Sequence, residues 1–326
     1  NYKYKYRSEF KYNMTMKGAI IGSTHIAESH INAFSKNGLQ IDSIASSRNS
    51  KSAKKISNRY GLEYFSNTTN LINKFDKDFL VIASSADSLL PILKSALDLN
   101  TKIFIEKPVT SKSDNLKDIK YKKNIQVGLN RRFYPNFQYF KSKINKNNFY
   151  TGSVFIPEPI DIKNFTKNNH KKRIVNNAIH VFDLLIYLFG NLKLKNIEYI
   201  YKQKNKLSVL SFHLYNSKCH IQVQSAANQS LNTQMNFFDG KNTYSFLPLE
   251  ELKVYKGFNV SESNKINTYK PQQIYSLNAY DRFYKPGFNK QAAVFKKIVA
   301  GKVQEKPELK DIVNSLNLIE KIYEQI

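Results

Sequence analysis

Two stretches of this chain combine residue types and spacings that could do chemistry. The first is Gly22-Ser23-Thr24-His25-Ile26-Ala27, which follows the apolar run Lys17 to Ile21 and opens a helix-like stretch with Ile31 and Phe34. A helix that starts after a tight turn offers free N–H groups and a partial positive charge, which together can hold a pyrophosphate. Against the pattern G-x-G-x-x-G/A the turn supplies Gly22, Thr24 and Ala27, so the middle glycine is lost. Taken alone it reads equally well as a tight strand-to-helix turn; its place between a first strand and a helix, with a second strand ending near residue 46, favours a dinucleotide. After that second strand come Ser46-Ser47-Arg48, with no acid to hold a ribose 2′-hydroxyl. Hydroxyls and an Arg can hold a 2′-phosphate, so NADP(H) is expected in preference to NAD(H), with Ser47 and Arg48 at that phosphate. His25 lies in the turn itself, where its backbone N–H matters more than its ring.

The second stretch is Glu106-Lys107-Pro108, just past an apolar strand from Lys102 to Ile105. Open α/β sheets bind ligands beyond the carboxyl ends of their strands, although a lysine there is also commonly a solvated loop charge. Further on, His180 sits on an otherwise apolar helical stripe, where a satisfied core histidine is the ordinary finding. Asp183, three residues later, could orient that ring or serve a structural contact. His30, His170, His213 and His220 show no ligand spacing with carboxylates, and no metal is expected.

These residues must be positioned by two different kinds of element. Up to about residue 130, strands (Lys17–Ile21, Leu39–Ala45, Phe79–Ala83, Lys102–Ile105, Ile125–Leu129) alternate with helical stretches, among them Ser50–Tyr60 ending at Gly61 and Leu89–Leu99. That rhythm implies a doubly wound parallel sheet of Rossmann type. Beyond about residue 150 a helix over Asn177–Phe189 is followed by alternating runs: Ile197–Gln203, Leu207–Tyr215, Cys219–Ser225, Gln234–Phe238, Thr243–Leu247 and Glu251–Tyr255. Turn-like Asn216-Ser217 and Asp239-Gly240 link them into an antiparallel sheet, and helices over Lys290–Val299 and Lys310–Glu324 close the chain. The expected organisation is a tail over 1–15, a dinucleotide-binding domain over 16–130, and an α+β domain over 131–326 built on a large, open, mainly antiparallel sheet. Phe, Val and Ile alternating along such a sheet would expose apolar area, so a homodimer or homotetramer is expected through its open face.

Composition bounds the alternatives. The 326 residues include a single cysteine, Cys219, which fits a reducing compartment. No apolar run approaches the roughly 18 residues of a membrane span, and the Lys- and Tyr-rich start lacks an apolar leader, so a cytoplasmic protein without membrane partners is expected. The net charge is +26, from 51 Lys and Arg against 25 Asp and Glu. The excess is scattered lysine without a zinc-finger, basic-heptad or RNP-like pattern, and nucleic acid is not expected as a partner.

Taken together, Gly18 to Gly61, the strand end Ala83-Ser84-Ser85, Ile103 to Pro108 and Val127-Gly128-Leu129-Asn130-Arg131-Arg132-Phe133-Tyr134-Pro135 resemble the glucose-fructose oxidoreductase and inositol dehydrogenase family, Gfo/Idh/MocA. The helix Asn176 to Leu185 is similar to that family's D-x-G-x-H-x-x-D-L helix, and Gly287-Phe288 with Gln291 to a late helix. The resemblance implies a nicotinamide-dependent oxidoreductase acting on a sugar or polyol carbon, and the positive charge adds the expectation of a nucleotide-linked or otherwise anionic sugar. It implies Lys107 as acid/base or carbonyl-polarising donor and His180 as its partner in proton transfer. Ser84 and Ser85 would flank a cofactor ribose, and Glu106 and Lys107 would lie near the nicotinamide. Arg132 and Asn176 would position substrate groups, and Tyr284 or Lys285 would line the same pocket. Asn176 stands where many members have Asp, which leaves an amide suited to binding a hydroxyl. That departure and the lost glycine also suit a cofactor-binding regulator without turnover.

Overall fold

The computed structural model describes residues 15–119, 123–158, 161, 166–203, 206–263, 266–302 and 304–326; the expected tail, apart from Thr15, lies outside them. The first half builds a six-stranded, wholly parallel sheet from β1 (Met16–Ile21), β2 (Leu39–Ala45), β3 (Glu63–Phe65), β4 (Phe79–Ile82), β5 (Lys102–Ile105) and β6 (Ile125–Val127) in the order β3-β2-β1-β4-β5-β6. This is the doubly wound order, with its switch point between β1 and β4. Every residue of β4 is buried, as expected of a strand covered on both faces. The helices between strands are α1 (His25–Lys36), α2 (Lys51–Tyr60), α3 (Thr68–Asn73) and α4 (Ala86–Ala96). Ser50 caps α2 by accepting from the Ala53 N–H, and Gly61 ends it. α4 starts three residues before the apolar stretch that signals it and carries Pro91 inside. β3 and α3 were not expected from the sequence: one is three partly exposed residues, the other six residues burying only Leu71.

The second half forms an eight-stranded sheet from β7 (Tyr150–Glu158), β8 (Lys193–Gln203), β9 (Lys206–Tyr215), β10 (Cys219–Ala227), β11 (Gln234–Phe238), β12 (Thr243–Phe246), β13 (Glu251–Ser263) and β14 (Ile266–Asn278), in the order β14-β13-β12-β11-β7-β10-β9-β8. All neighbours are antiparallel except β7 and β10, so the sheet is mixed. One face is covered by α5 (Pro135–Lys143), α7 (Ile179–Phe189) and α9 (Leu309–Glu324), whose apolar residues join one core with Val223, Phe237 and Phe246; α6 (Lys167–Arg173) has no apolar residue and buries His170 against Ser225 of β10 instead.

The open face corrects an expectation. Most apolar residues of the central strands point inward, and the outer face carries Thr151, Ser153, Gln222 and Asn236, with Phe155 of β7 and the exposed Phe238 of β11 among them. Exposed large apolar side chains gather instead on the outer ends of β13 and β14: Phe258, Val260, Ile266 and Tyr269, each more than half exposed. Those ends reach well past the expected limit at Tyr255.

A helix from the end of the chain returns to the first sheet. In α8 (Phe288–Val299), Phe295 stacks on Phe34 of α1 at 5.6 Å and meets Phe79 and Phe104 edge-on. Burying such a side chain fully contributes about 1.5–3 kcal/mol. This packing fixes the segment before α8 against the Rossmann layer, which matters for the site.

Candidate active site

The turn after β1 is built for close approach. Gly22 has φ +133°, and a Cβ there would lie 2.1 Å from the Ala83 carbonyl oxygen, so no side chain fits between β1 and β4. Its N–H donates to the Ala45 carbonyl at 2.8 Å. Ala27 is fully buried and lets α1 sit tightly on the sheet, while Ile26 packs beside it. The first turn of α1 carries N–H groups without helical partners. It opens a groove of about 450 Å³ that includes the hydroxyls of Ser23, Thr24, Ser47, Ser84 and Ser85. Ser23 Oγ lies 3.0 Å from Ser46 Oγ, and Thr24 turns its hydroxyl toward the Ala83 carbonyl at 3.5 Å. The glycine cradle and hydroxyl lining fit a dinucleotide phosphate. His25 is exposed at the helix start, and Arg48 stands exposed on the loop after β2, outside the groove's lining.

At the carboxyl end of β5 the structure separates Glu106 from Lys107. Glu106 is buried; its Oε1 accepts from His30 Nε2 at 2.8 Å and its Oε2 from the Lys107 N–H at 3.2 Å. Its carboxylate therefore faces α1, and Glu106, expected beside the nicotinamide, ties β5 to that helix. His30, set aside in the sequence for lack of ligand spacing, is the partner. Lys107 points the other way: its Nζ donates to the Asn176 carbonyl at 2.6 Å. Burial lowers the Lys107 pKa below the ordinary 10.5, helped by Arg131 and Lys285 and opposed by Glu106. Val109, two residues on, is buried with φ +65°, a costly conformation for a β-branched residue.

The stretch expected as one helix from Asn177 divides. Residues Ile174–Ala178 form a π turn and α7 begins at Ile179. Such turns free a carbonyl from the helical ladder, and Asn176 here offers its backbone oxygen to Lys107. Asn176, whose amide was expected to bind a substrate hydroxyl, also lines an adjoining cleft. His180, at the start of α7, is buried, and its Nδ1 has no hydrogen-bond partner among the described residues. Burial, then Lys107 and Arg131, push its pKa well below 6.5, so the ring is neutral at pH 7.

Of the residues expected to touch substrate, Arg132 is the clearest correction. Its Nε and Nη2 donate to the two oxygens of Asp183, at 2.9 and 2.5 Å, and Nη2 also reaches Asp311 at 3.1 Å. The guanidinium lies over the Tyr187 ring at 4.9 Å. Burial opposes its charge, but the two carboxylates outweigh that and raise its pKa. Asp183 is thereby a structural partner and does not orient His180. The adjacent Arg131 takes the place expected of Arg132: it acts on both Lys107 and His180, and its Nη1 is buried without a partner among the described residues. The 3₁₀ turn Asn130–Phe133 explains the exchange, because three residues per turn send neighbouring side chains in different directions.

Lys285 reaches the site through a tight contact. Asn130 Nδ2 donates to the Pro286 carbonyl at 3.0 Å, and Gly287, at φ +79°, would place a Cβ 2.3 Å from the Asn130 carbonyl oxygen. Only glycine lets this segment press on the Arg131 turn and bring Lys285 near enough to act on Lys107. Tyr284 packs partly against the α1 and α8 cluster.

Residues 16–128 match the family model described as "Oxidoreductase family, NAD-binding Rossmann fold", GFO_IDH_MocA. An uncharacterized oxidoreductase, YrbE, of Bacillus subtilis (strain 168) is 27% identical over 184 residues, 53% of either chain, so the chain matches about half the length of this curated relative. The crystal structure of myo-inositol dehydrogenase from Lactobacillus casei in complex with NAD(H) and myo-inositol superposes with a TM-score of 0.72 at 19% identity, covering 94% of this chain and 93% of that one. UDP-N-acetylglucosamine 3-dehydrogenase from Acidithiobacillus ferrooxidans superposes with a TM-score of 0.73 at 13% identity, covering 95% and 97%. At these identities the likeness is one of fold. No helix among the described residues is long and apolar enough to cross a membrane.

Proposed function

We propose that this chain, whose residues 16–128 match the Gfo/Idh/MocA family model, is an oxidoreductase of that family that transfers a hydride between NADP(H) and a secondary hydroxyl or carbonyl carbon of a sugar. The observation that carries the reading is the pairing, beyond the carboxyl end of β5, of a lysine with a lowered pKa and a buried neutral histidine. The nicotinamide, when bound, supplies the hydride acceptor or donor. Lys107 Nζ then takes the hydroxyl proton in oxidation or gives it back in reduction, and the Asn176 carbonyl holds that nitrogen in place. His180 is the second proton station, since a neutral ring keeps one nitrogen free to accept. Arg131 and Lys285 keep Lys107 easier to deprotonate than a solvated lysine.

The sign of the pH dependence follows. Oxidation needs neutral Lys107, so its kcat/KM is expected to rise with pH along a limb that levels off below the ordinary lysine value of 10.5. Reduction needs the ammonium, so its kcat/KM is expected to fall through the same limb. Profiles measured in both directions test this. Parallel profiles, or a limb that survives Lys107→Met, would remove Lys107 from proton transfer.

Preference for NADP(H) is supported by Ser46-Ser47-Arg48 after β2, a segment with hydroxyls and a guanidinium and no acid to repel a 2′-phosphate; Arg48, exposed beside the groove, would turn toward that phosphate. A charge-assisted contact of about 1.5–3 kcal/mol corresponds to roughly 10- to 100-fold in affinity. Arg48→Ala is expected to remove a preference of that size while leaving NADH binding unchanged, as read by calorimetry. Equal affinity of the unaltered chain for NADH and NADPH would refute the preference. Assembly as a homodimer or homotetramer is supported by the apolar ends of β13 and β14, whose exposed Phe258, Val260 and Tyr269 suit contact with a second copy.

A further inference from the structure

Next to the reacting residues lies a second cleft of about 360 Å³, lined by Asp87, Ser111, Lys112, Asn168, Lys171, Lys172, Val175 and Asn176. Asn176 joins it to the site, since its carbonyl holds Lys107 Nζ. Three lysines from two separate segments face this cleft, Lys112 from the loop after Lys107 and Lys171 and Lys172 from α6. Among the described residues none of the three pairs with a carboxylate; Lys171 lies over the Tyr323 ring at 5.8 Å. Asp87 is the one acid in the lining, so among the described residues that line it the cleft carries an excess of positive charge. Ser111 and Asn168 add hydrogen-bonding groups between the lysines.

A neutral polyol offers three ammonium groups only uncharged hydroxyl acceptors, whereas a phosphate ester offers compensating charge and several acceptor oxygens. We infer that the substrate is a phosphorylated sugar, bound with its phosphate among Lys112, Lys171 and Lys172 and its reacting hydroxyl at Lys107. This rests on the oxidoreductase reading for the second half of that statement only; the phosphate site stands on the cleft. A sugar monophosphate and a nucleoside diphosphate sugar share the required chemistry.

The test uses the full chain saturated with NADPH and calorimetric titration with glucose 6-phosphate, uridine diphosphate glucose and glucose, at 50 and 300 mM salt. At least one phosphorylated probe is expected to bind tenfold or more tightly than glucose, with the margin shrinking at the higher salt. The probe that wins distinguishes monophosphate from diphosphate, and either supports the site. Lys112→Ala with Lys172→Ala, both exposed positions, is expected to weaken the phosphorylated probe at least tenfold while NADPH affinity is unchanged. Equal binding of glucose and both phosphorylated probes, no binding of any, or a matching loss of NADPH affinity in the double variant would overturn the proposal; the last would assign the lysines to the cofactor. Because binding is read without turnover, a chain that binds phosphorylated sugars but never exchanges a hydride would sink the oxidoreductase reading and leave this one standing.

Discussion

Replacing Lys107 with alanine is expected to lower kcat and kcat/KM together, by about 100- to 10,000-fold, while NADPH binds as before. The size follows from what the residue does: a positioned acid/base acts in the transition state, and its loss is not recovered by tighter ground-state binding. The separation from cofactor binding follows from the structure. The phosphate cradle is made by Gly22 and the start of α1, and β5 is tied to α1 through Glu106 and His30, none of which the Lys107 side chain supports. His180→Ala is expected to cost less, because the ring assists a proton that Lys107 carries. Steady-state kinetics on an identified sugar, with cofactor titration by fluorescence, checks both halves. Near-full turnover in Lys107→Ala would transfer the acid/base role to His180.

The second large effect concerns stability. Arg132→Leu leaves Asp183 buried and Asp311 unpaired, and Asp183→Leu leaves a buried guanidinium with only Asp311. Breaking a buried pair from one side costs about 3–5 kcal/mol, because a charge stays in a low-dielectric interior without its partner. Each single variant is expected to show that loss in urea unfolding. The double variant Arg132→Met with Asp183→Leu is expected to recover much of it, since the desolvation cost of both charges goes with them. A substrate-binding role for Arg132 would instead give a stable variant with a raised KM.

That reversal of roles between Arg131 and Arg132 marks where sequence reasoning stops. Apart from β3 and α3, the order of strands and helices around the first sheet was legible because each βαβ unit is local and its strands are short, largely apolar runs, wholly so in Phe79–Ile82. Gly22 and Ala27 were legible because the turn leaves no room for anything larger. Which of two adjacent arginines enters the site depends on a 3₁₀ turn that no periodicity announces. The Glu106–His30 bond joins residues 76 apart and carries no local signal. Nor does the return of α8 to the first sheet, which depends on Phe295 finding Phe34 across the length of the chain. The outer halves of β13 and β14 were missed for a different reason. Strand signals there come from burial on one face, and these residues bury neither. The mainly polar outer face of the second sheet's central strands shows the same limit in reverse: alternation was visible, but which phase faces the core was not.

The most direct test of the account is transfer of the hydride itself. The chain is incubated with NADPH deuterated at nicotinamide C4 and a panel of keto sugars, phosphorylated and neutral, and the products are read by mass spectrometry. The account expects one deuteron on a sugar carbon of at least one product, and its loss in the Lys107→Ala protein. NADPH bound at the Gly22 turn, with no deuterium appearing in any sugar, would contradict it and leave a cofactor-binding regulator in its place.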